Sequence, residues 1–188
     1  MKAYGIITAL LLTIAITGCA STDAYSDSTT NPAKPGSGTQ SDGTIAIALK
    51  IPYAPGNRIA GNIKRECRLP EKLSYYINAY ARDYRIPVVQ KQTVSAKDPG
   101  LVLLVEITDS VSAGNAFFGH SKYTQIAGRL FQDGKAIGSF QAARNSAGGA
   151  FAEFKSSCAV LGRTVKALGR DVASWLRSPE MDSTLGDM

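Results

Sequence analysis

Between Cys19 and Gly43 the chain offers almost no large apolar side chain, and this confines whatever folds to the residues that follow. The stretch is Ser, Thr, Asp, Asn, Pro and Gly, too polar to offset the entropy lost on folding, so residues 19–43 read as a disordered tether. About 25 such residues reach roughly 25 to 30 Å on average by flexible-chain scaling. Residues 44–178 have the size of one ordinary domain and enough apolar residues to bury a core. Residues 179–188 read as a flexible tail.

Residues 1–18 have the layout of an export signal. Lys2 supplies a short positive region, and Ile6 to Ile16 form an apolar run too short and too abruptly ended for a comfortable membrane span. Thr17 and Gly18 are small enough to admit a signal peptidase at the bond before Cys19. Ile16-Thr17-Gly18-Cys19 resembles the lipobox of bacterial lipoprotein signals. The resemblance implies that Cys19 becomes the lipidated first residue, with two or three acyl chains such as palmitate. Each buried methylene contributes about 0.8 kcal/mol, so such an anchor holds firmly without a transmembrane helix. Ala20 stands where Asp would resemble the inner-membrane retention signal of enteric bacteria. The expected location is the periplasmic side of the outer membrane in a Gram-negative source, and the cell membrane otherwise.

The period of the apolar positions predicts the architecture. Ile45, Ile47, Leu49 and Ile51 alternate with Ala46, Ala48 and Lys50, a strand with one buried face. Gly56 and Gly61 mark a loop. Leu69, Leu73, Tyr76, Ile77, Tyr80 and Tyr84 recur at helical spacing, with Pro70 and Glu71 suited to the first turn. Ile86 to Gln90 reads as a short strand and Leu101 to Thr108 as a longer one, apolar on both faces and therefore central. Tyr123 to Phe131 and Ala136 to Ala143 flank Asp133-Gly134, a dipeptide suited to a tight hairpin. Leu161, Val165, Leu168, Val172, Trp175 and Leu176 define a long helix whose other face carries Arg163, Lys166 and Arg170, and Ser178-Pro179 ends it. The expected fold is α/β, a two-layer sandwich of a mixed, mostly antiparallel sheet with two amphipathic helices on one face.

Three features carry a wider resemblance: the Cys19 lipobox, the Asp133-Gly134-Lys135 hairpin, and Gly148-Gly149 leading into the closing helix at Cys158. With them the chain resembles uncharacterised bacterial envelope lipoprotein domains. More distantly, its architecture is similar to the activator lipoproteins of penicillin-binding proteins. The activator family's partner-binding residues have no counterpart that can be placed here, so that resemblance implies no function.

With Cys19 spent on lipid, Cys67 and Cys158 are an even pair in an oxidising compartment, each just before a predicted helix. A Cys67–Cys158 disulfide is the expected state, and a reactive thiol is the alternative. A disulfide would close a long loop and bring both helix starts to one end of the sheet, whereas a reactive thiol would draw on the helix N-terminus to lower its pKa. The hairpin adds a constraint, because the loop before its first strand and the loop after its second lie at the same end. Those loops, 114–120 and 148–154, are glycine-rich and aromatic, and with 52–66 they would form one composite surface. Phe117, Phe118, His120, Phe151 and Phe154 are its candidate contacts, although the rings can equally fold inward as a satellite core. The arrangement asks residues 92–100 to carry the chain back across the sheet, which is short for a parallel crossover.

A catalytic centre is not legible. His120 is the only histidine, and neither Ser112 nor Ser121 near it has a nucleophile-elbow pattern. Cys and His spacings for a metal are missing, and no glycine stretch has the lysine of a phosphate cradle. Glu66, Glu106 and Asp109 are the acids from which a glycan-cleaving pair would have to come. The expectation is a non-enzymatic protein without cofactor or metal, attached to the membrane through its N-terminal lipid. It would serve as an accessory or assembly subunit of an envelope protein complex. The alternative is a module for cell-wall glycan or lipopolysaccharide, with Lys64, Arg65 and Arg68 meeting acidic groups. The basic face of the closing helix reads either as a partner surface or as solvated. The net charge of +6 suits anionic partners, but no basic stripe interleaved with aromatics argues for nucleic acid.

Overall fold

The alternation that begins at Ile45 builds β1 (Ile45–Ala48), whose two isoleucines are buried in the main hydrophobic cluster. In the computed structural model, which describes residues 43–115, 119–147 and 156–188, the chain continues through α1 (Gly61–Glu66), α2 (Leu69–Asp83) and β2 (Val88–Lys91). It then forms β3 (Leu101–Asn115), β4 (Gly119–Gln132), β5 (Lys135–Ala147), α3 (Ser157–Trp175) and β6 (Ser183–Gly186). The sheet order is β2-β1-β3-β4-β5-β6, which makes β3 interior as expected. β1 is parallel to β2 and β3, and β5 to β6, while β4 is antiparallel to β3 and β5. All the described strands except β4 therefore point one way. The two antiparallel ladders are much the longest, so most paired residues are antiparallel.

The short connection 92–100 does return the chain from β2 to β3 past β1. A four-residue strand is only about 13 Å long, and an extended run of that connection's length spans about 30 Å. Brevity of the strands, not length of the crossover, makes the turn possible.

The helices cover one face. Leu103, Val105 and Ile107 of β3 meet Ile126 and Leu130 of β4 and Phe140 and Ala142 of β5 in the cluster that also holds Leu73, Ile77, Leu161, Val165, Leu168 and Val172. Among the described residues, every buried member of that cluster lies between Ile45 and Leu176, so the part of the chain from Thr44 onward carries a core of its own. A register shift between Ile107 and Asp109 leaves Thr108 as an extra residue. Beyond it the parity of β3 changes, and Ser110 turns toward the helices to meet Thr124, which in turn reaches Thr164 of α3.

α2 buries Leu69, Leu73, Ile77 and Ala81 at four-residue intervals, with Pro70 in the first turn, where its missing N–H is not needed. Ser156 caps α3 by accepting the N–H of Ala159. The two helices lie side by side and parallel, since Lys72 approaches Gly162, Tyr76 packs on Gly169, and Arg177 sits 5.2 Å over the Tyr84 ring. A Cβ at position 169 would lie 2.5 Å from the Tyr76 Cβ, so only glycine allows this approach.

Two expectations are corrected. The loop after Gly56 contains α1, a six-residue helix that inserts Ile63 into the core, too short for a helical period to show. Residues 179–188 are not a loose tail, because Ser183–Gly186 pairs with Phe140–Ala143 as β6. Its attachments are largely polar, which hydrophobic periodicity does not register. Trp175 Nε1 donates to Ser183 Oγ at 3.0 Å, Ser139 Oγ donates to Asp182 at 2.9 Å, and Arg144 donates to Asp187 at 2.7 Å.

That last anchor predicts acid sensitivity. The Asn145 N–H, together with the Arg144 guanidinium, holds the Asp187 carboxyl below its ordinary 3.8. A carboxyl held low in the folded chain stabilises it above the unfolded value and ceases to do so as pH falls through the folded value. Amide exchange at Ser183–Gly186, corrected for its intrinsic pH dependence, should therefore accelerate below pH 3.8 before that of β3 and β4. Asp187→Asn should remove the transition, and an unchanged profile in that variant would show that Asp187 does not hold β6.

Candidate functional site

Cys67 and Cys158 form a disulfide with Cα atoms 4.7 Å apart, bridging residues 91 positions apart. Cys67 ends α1 immediately ahead of α2, and Cys158 lies in the first turn of α3, so the bridge draws the end of α1 and the starts of α2 and α3 together. Strand direction places the end of β3, the start of β4 and the end of β5 at this same end. A small cleft of about 210 Å³ opens beside the bridge between Asn62 and Glu66 of α1 and Ser156 and Ser157 of α3. Of the expected composite surface, segment 52–66 reaches this end through α1, while residues 116–118 and 148–154 lie outside the described residues.

Other predicted residues fall differently. His120, read as a loop residue, belongs to β4 and pairs with Gly114. A run of Gly, His and Ser carries no alternation that would mark a strand, and only ladder pairing with β3 extends it so far. Phe117, Phe118, Phe151, Phe154 and Cys19 lie outside the described residues. Glu66 and Glu106 are not a pair: Glu66 stands beside the disulfide in the helical layer, while Glu106 lines the opposite, open face of the sheet. Asp109 accepts the N–H of its neighbour Ser110 at 2.8 Å. Among the described residues no cluster of three metal-ligating side chains occurs.

The sequence did not point to the polar knot at this end. Lys122, 7% exposed, donates to Ser112 Oγ and to Ser157 Oγ at 3.4 Å, and Ser112 donates to Ser157 at 2.9 Å. It ties the β3–β4 arm to the start of α3. No salt bridge to Lys122 is found among the described residues. Nothing in a lone lysine between Ser121 and Tyr123 marks it as inward-facing; only the even parity it shares with Thr124 and Ile126 does.

The open face of the sheet holds a trough of about 910 Å³. Leu104 and Glu106 of β3, Arg129 and Phe131 of β4 and Gln141 of β5 are among its lining, with Lys50 and residues 92–94 also contributing. These are the alternate residues of strands whose other face is core, and the mixture of charge and apolar surface suits binding more than burial. On the helix side Tyr53 is pushed up to about 12, by burial first and by Glu71 second. Its hydroxyl has no hydrogen-bond partner among the described residues, and Lys64 sits 5.6 Å over its ring. Arg144 is held more firmly protonated than usual, chiefly by its hydrogen bonds to Asp171 of α3, and so clamps β5 to that helix.

No family model matches the chain, and no curated protein sequence matches it. Among solved structures it is similar to a minor lipoprotein from Acinetobacter baumannii, at 10% identity over 71% of this chain and 90% of that one, with a TM-score of 0.44. It is also similar to lipoprotein GNA1162 from Neisseria meningitidis, at 13% identity over 68% and 95% of the two chains, TM-score 0.44. A Xanthomonas campestris protein of the DUF330 family model shows 11% identity over 77% and 87%, with a TM-score of 0.47.

Proposed function

We propose that the protein is an outer-membrane lipoprotein, anchored by acyl chains at Cys19, that acts without chemistry of its own as an accessory or assembly subunit of an envelope protein complex. The observation that carries this reading is the Cys67–Cys158 disulfide. Bridges of this kind persist where thiols are kept oxidised, in agreement with export through the signal at residues 1–18. The same bridge ties the end of α1 and the start of α2 to the start of α3, a rigid base of the kind on which binding loops are commonly carried.

The test is site-specific photo-cross-linking of the full-length protein in its native envelope. Probes at positions 117, 118 and 151 should trap one protein, and a probe at Lys97 should not. Adducts to no protein, with retention on purified wall glycan or lipopolysaccharide, would overturn the protein-partner reading in favour of the polymer.

A further inference from the structure

The charge of the folded domain is divided by layer. From Gly61 to Arg85 and from Ser157 to Arg177, the helical layer has ten Lys and Arg against four Asp and Glu. Two of those four carboxylates are engaged by cations from the sheet side, Glu71 by Lys50 at 3.5 Å and Asp171 by Arg144 at 2.7 Å. The rest of the described chain is nearly balanced, with eight cations and seven carboxylates. Almost the whole surplus therefore stands on the helices.

It stands on their outer side. α2 and α3 bury one face each in the same core and lie parallel, so their remaining faces look the same way. Arg163, Lys166 and Arg170 are exposed along α3. Beside them on α2, Tyr75 is 62% exposed and meets Tyr76 edge-on at 5.3 Å, and Tyr76 in turn lies 6.5 Å from Tyr80. Tyrosine rings favour the headgroup level of a bilayer, and each Lys or Arg near an anionic leaflet adds attraction that falls off within a Debye length. Exposed cations with few carboxylates among them and rings that tolerate a half-wet boundary match a negatively charged lipid surface.

We infer that the outer face of α2 and α3 docks on an anionic phospholipid bilayer, presenting the open face of the sheet away from the membrane. The inference goes beyond the proposed accessory role and does not require it; a lipid at Cys19 would only raise the local concentration.

The domain from Thr44 onward, which lacks any acyl chain, provides the test by co-sedimentation with vesicles at low ionic strength. It should bind phosphatidylethanolamine vesicles containing about one-third phosphatidylglycerol, release them at high salt, and ignore phosphatidylcholine. Arg163→Glu with Lys166→Glu should weaken binding at least about tenfold. Lys97→Glu with Lys135→Glu changes the net charge equally on the sheet side and should leave binding within about twofold. Equal loss in the two double variants would overturn the docking face, since net charge alone would then explain binding. Binding to neutral vesicles as well, or to lipopolysaccharide and not to phosphatidylglycerol, would also overturn it. Unaltered thermal unfolding of both variants separates these outcomes from misfolding. Neither result bears on cross-linking at 117, 118 and 151, so the two proposals fail separately.

Discussion

Replacing Cys67 and Cys158 together by serine lowers the stability of the oxidised domain by about 4 to 5 kcal/mol at most. The chain-entropy account sets that figure for a bridge across 91 positions. Strain relief and residual structure in the unfolded chain reduce it, and about 3 kcal/mol is the working value, on the order of a 10 °C fall in melting temperature for a domain of this size. The effect exceeds that of a typical surface change because Cys67 belongs to the core: it is 1% exposed and packs with Ile63 and Leu69. Thermal unfolding followed by circular dichroism checks it, with the reduced wild-type protein behaving like the double variant. A loss below 1 kcal/mol would mean that the bridge constrains little that the core does not already hold.

Trp175→Ala should cost about 3 to 5 kcal/mol, the range for removing a large buried ring. Trp175 is 7% exposed and meets Phe140 edge-on at 4.9 Å. The same ring covers Gly138, where an added Cβ would lie 2.8 Å from it, and its Nε1 donates to Ser183. One side chain thus joins α3 to β5 and β6, and the alanine variant should lose protection in β6 first. Trp175→Phe keeps most of the apolar contact and loses the donated hydrogen bond, a cost of about 1 kcal/mol. Equal losses in the two variants, measured by denaturant unfolding, would assign the effect to the hydrogen bond and not to packing.

What the sequence disclosed follows the reach of periodicity. Leu73 and Ile77, or Val165, Leu168 and Val172, repeat over several turns, and both long helices lie where that repeat puts them. Asp133-Gly134 turns the chain between β4 and β5 with both residues at positive φ, as the dipeptide foretells. The disulfide followed from counting. α1 was hidden because six residues cannot repeat a helical pattern, and β6 because its hold lies in Ser183, Asp182 and Asp187, side chains that usually signal a turn. The extension of β3 through Asn115 and of β4 back to Gly119 was equally hidden, since Ser, Gly and Asn there have low strand preference and pair only because their neighbours already do. For the site, the cysteine pair and the basic face of α3 could be read directly. Lys122 could not, because a lysine gives no inward signal of its own and its partner Ser112 faces the helices only through the shift of parity at Thr108 in the facing strand.

The chain enters the sheet through β1, and β1 is an interior strand, paired on one side with β2 and on the other with β3. Tension applied along the strand from the N-terminal side would load two ladders at once in shear, including the bonds of Ile45 to Pro87 and Leu49 to Lys91, with Ile45 and Ile47 wedged under the helices. A rim strand in that position would peel one bond at a time. The point of entry thus suits a domain that has to bear a mechanical pull without unravelling.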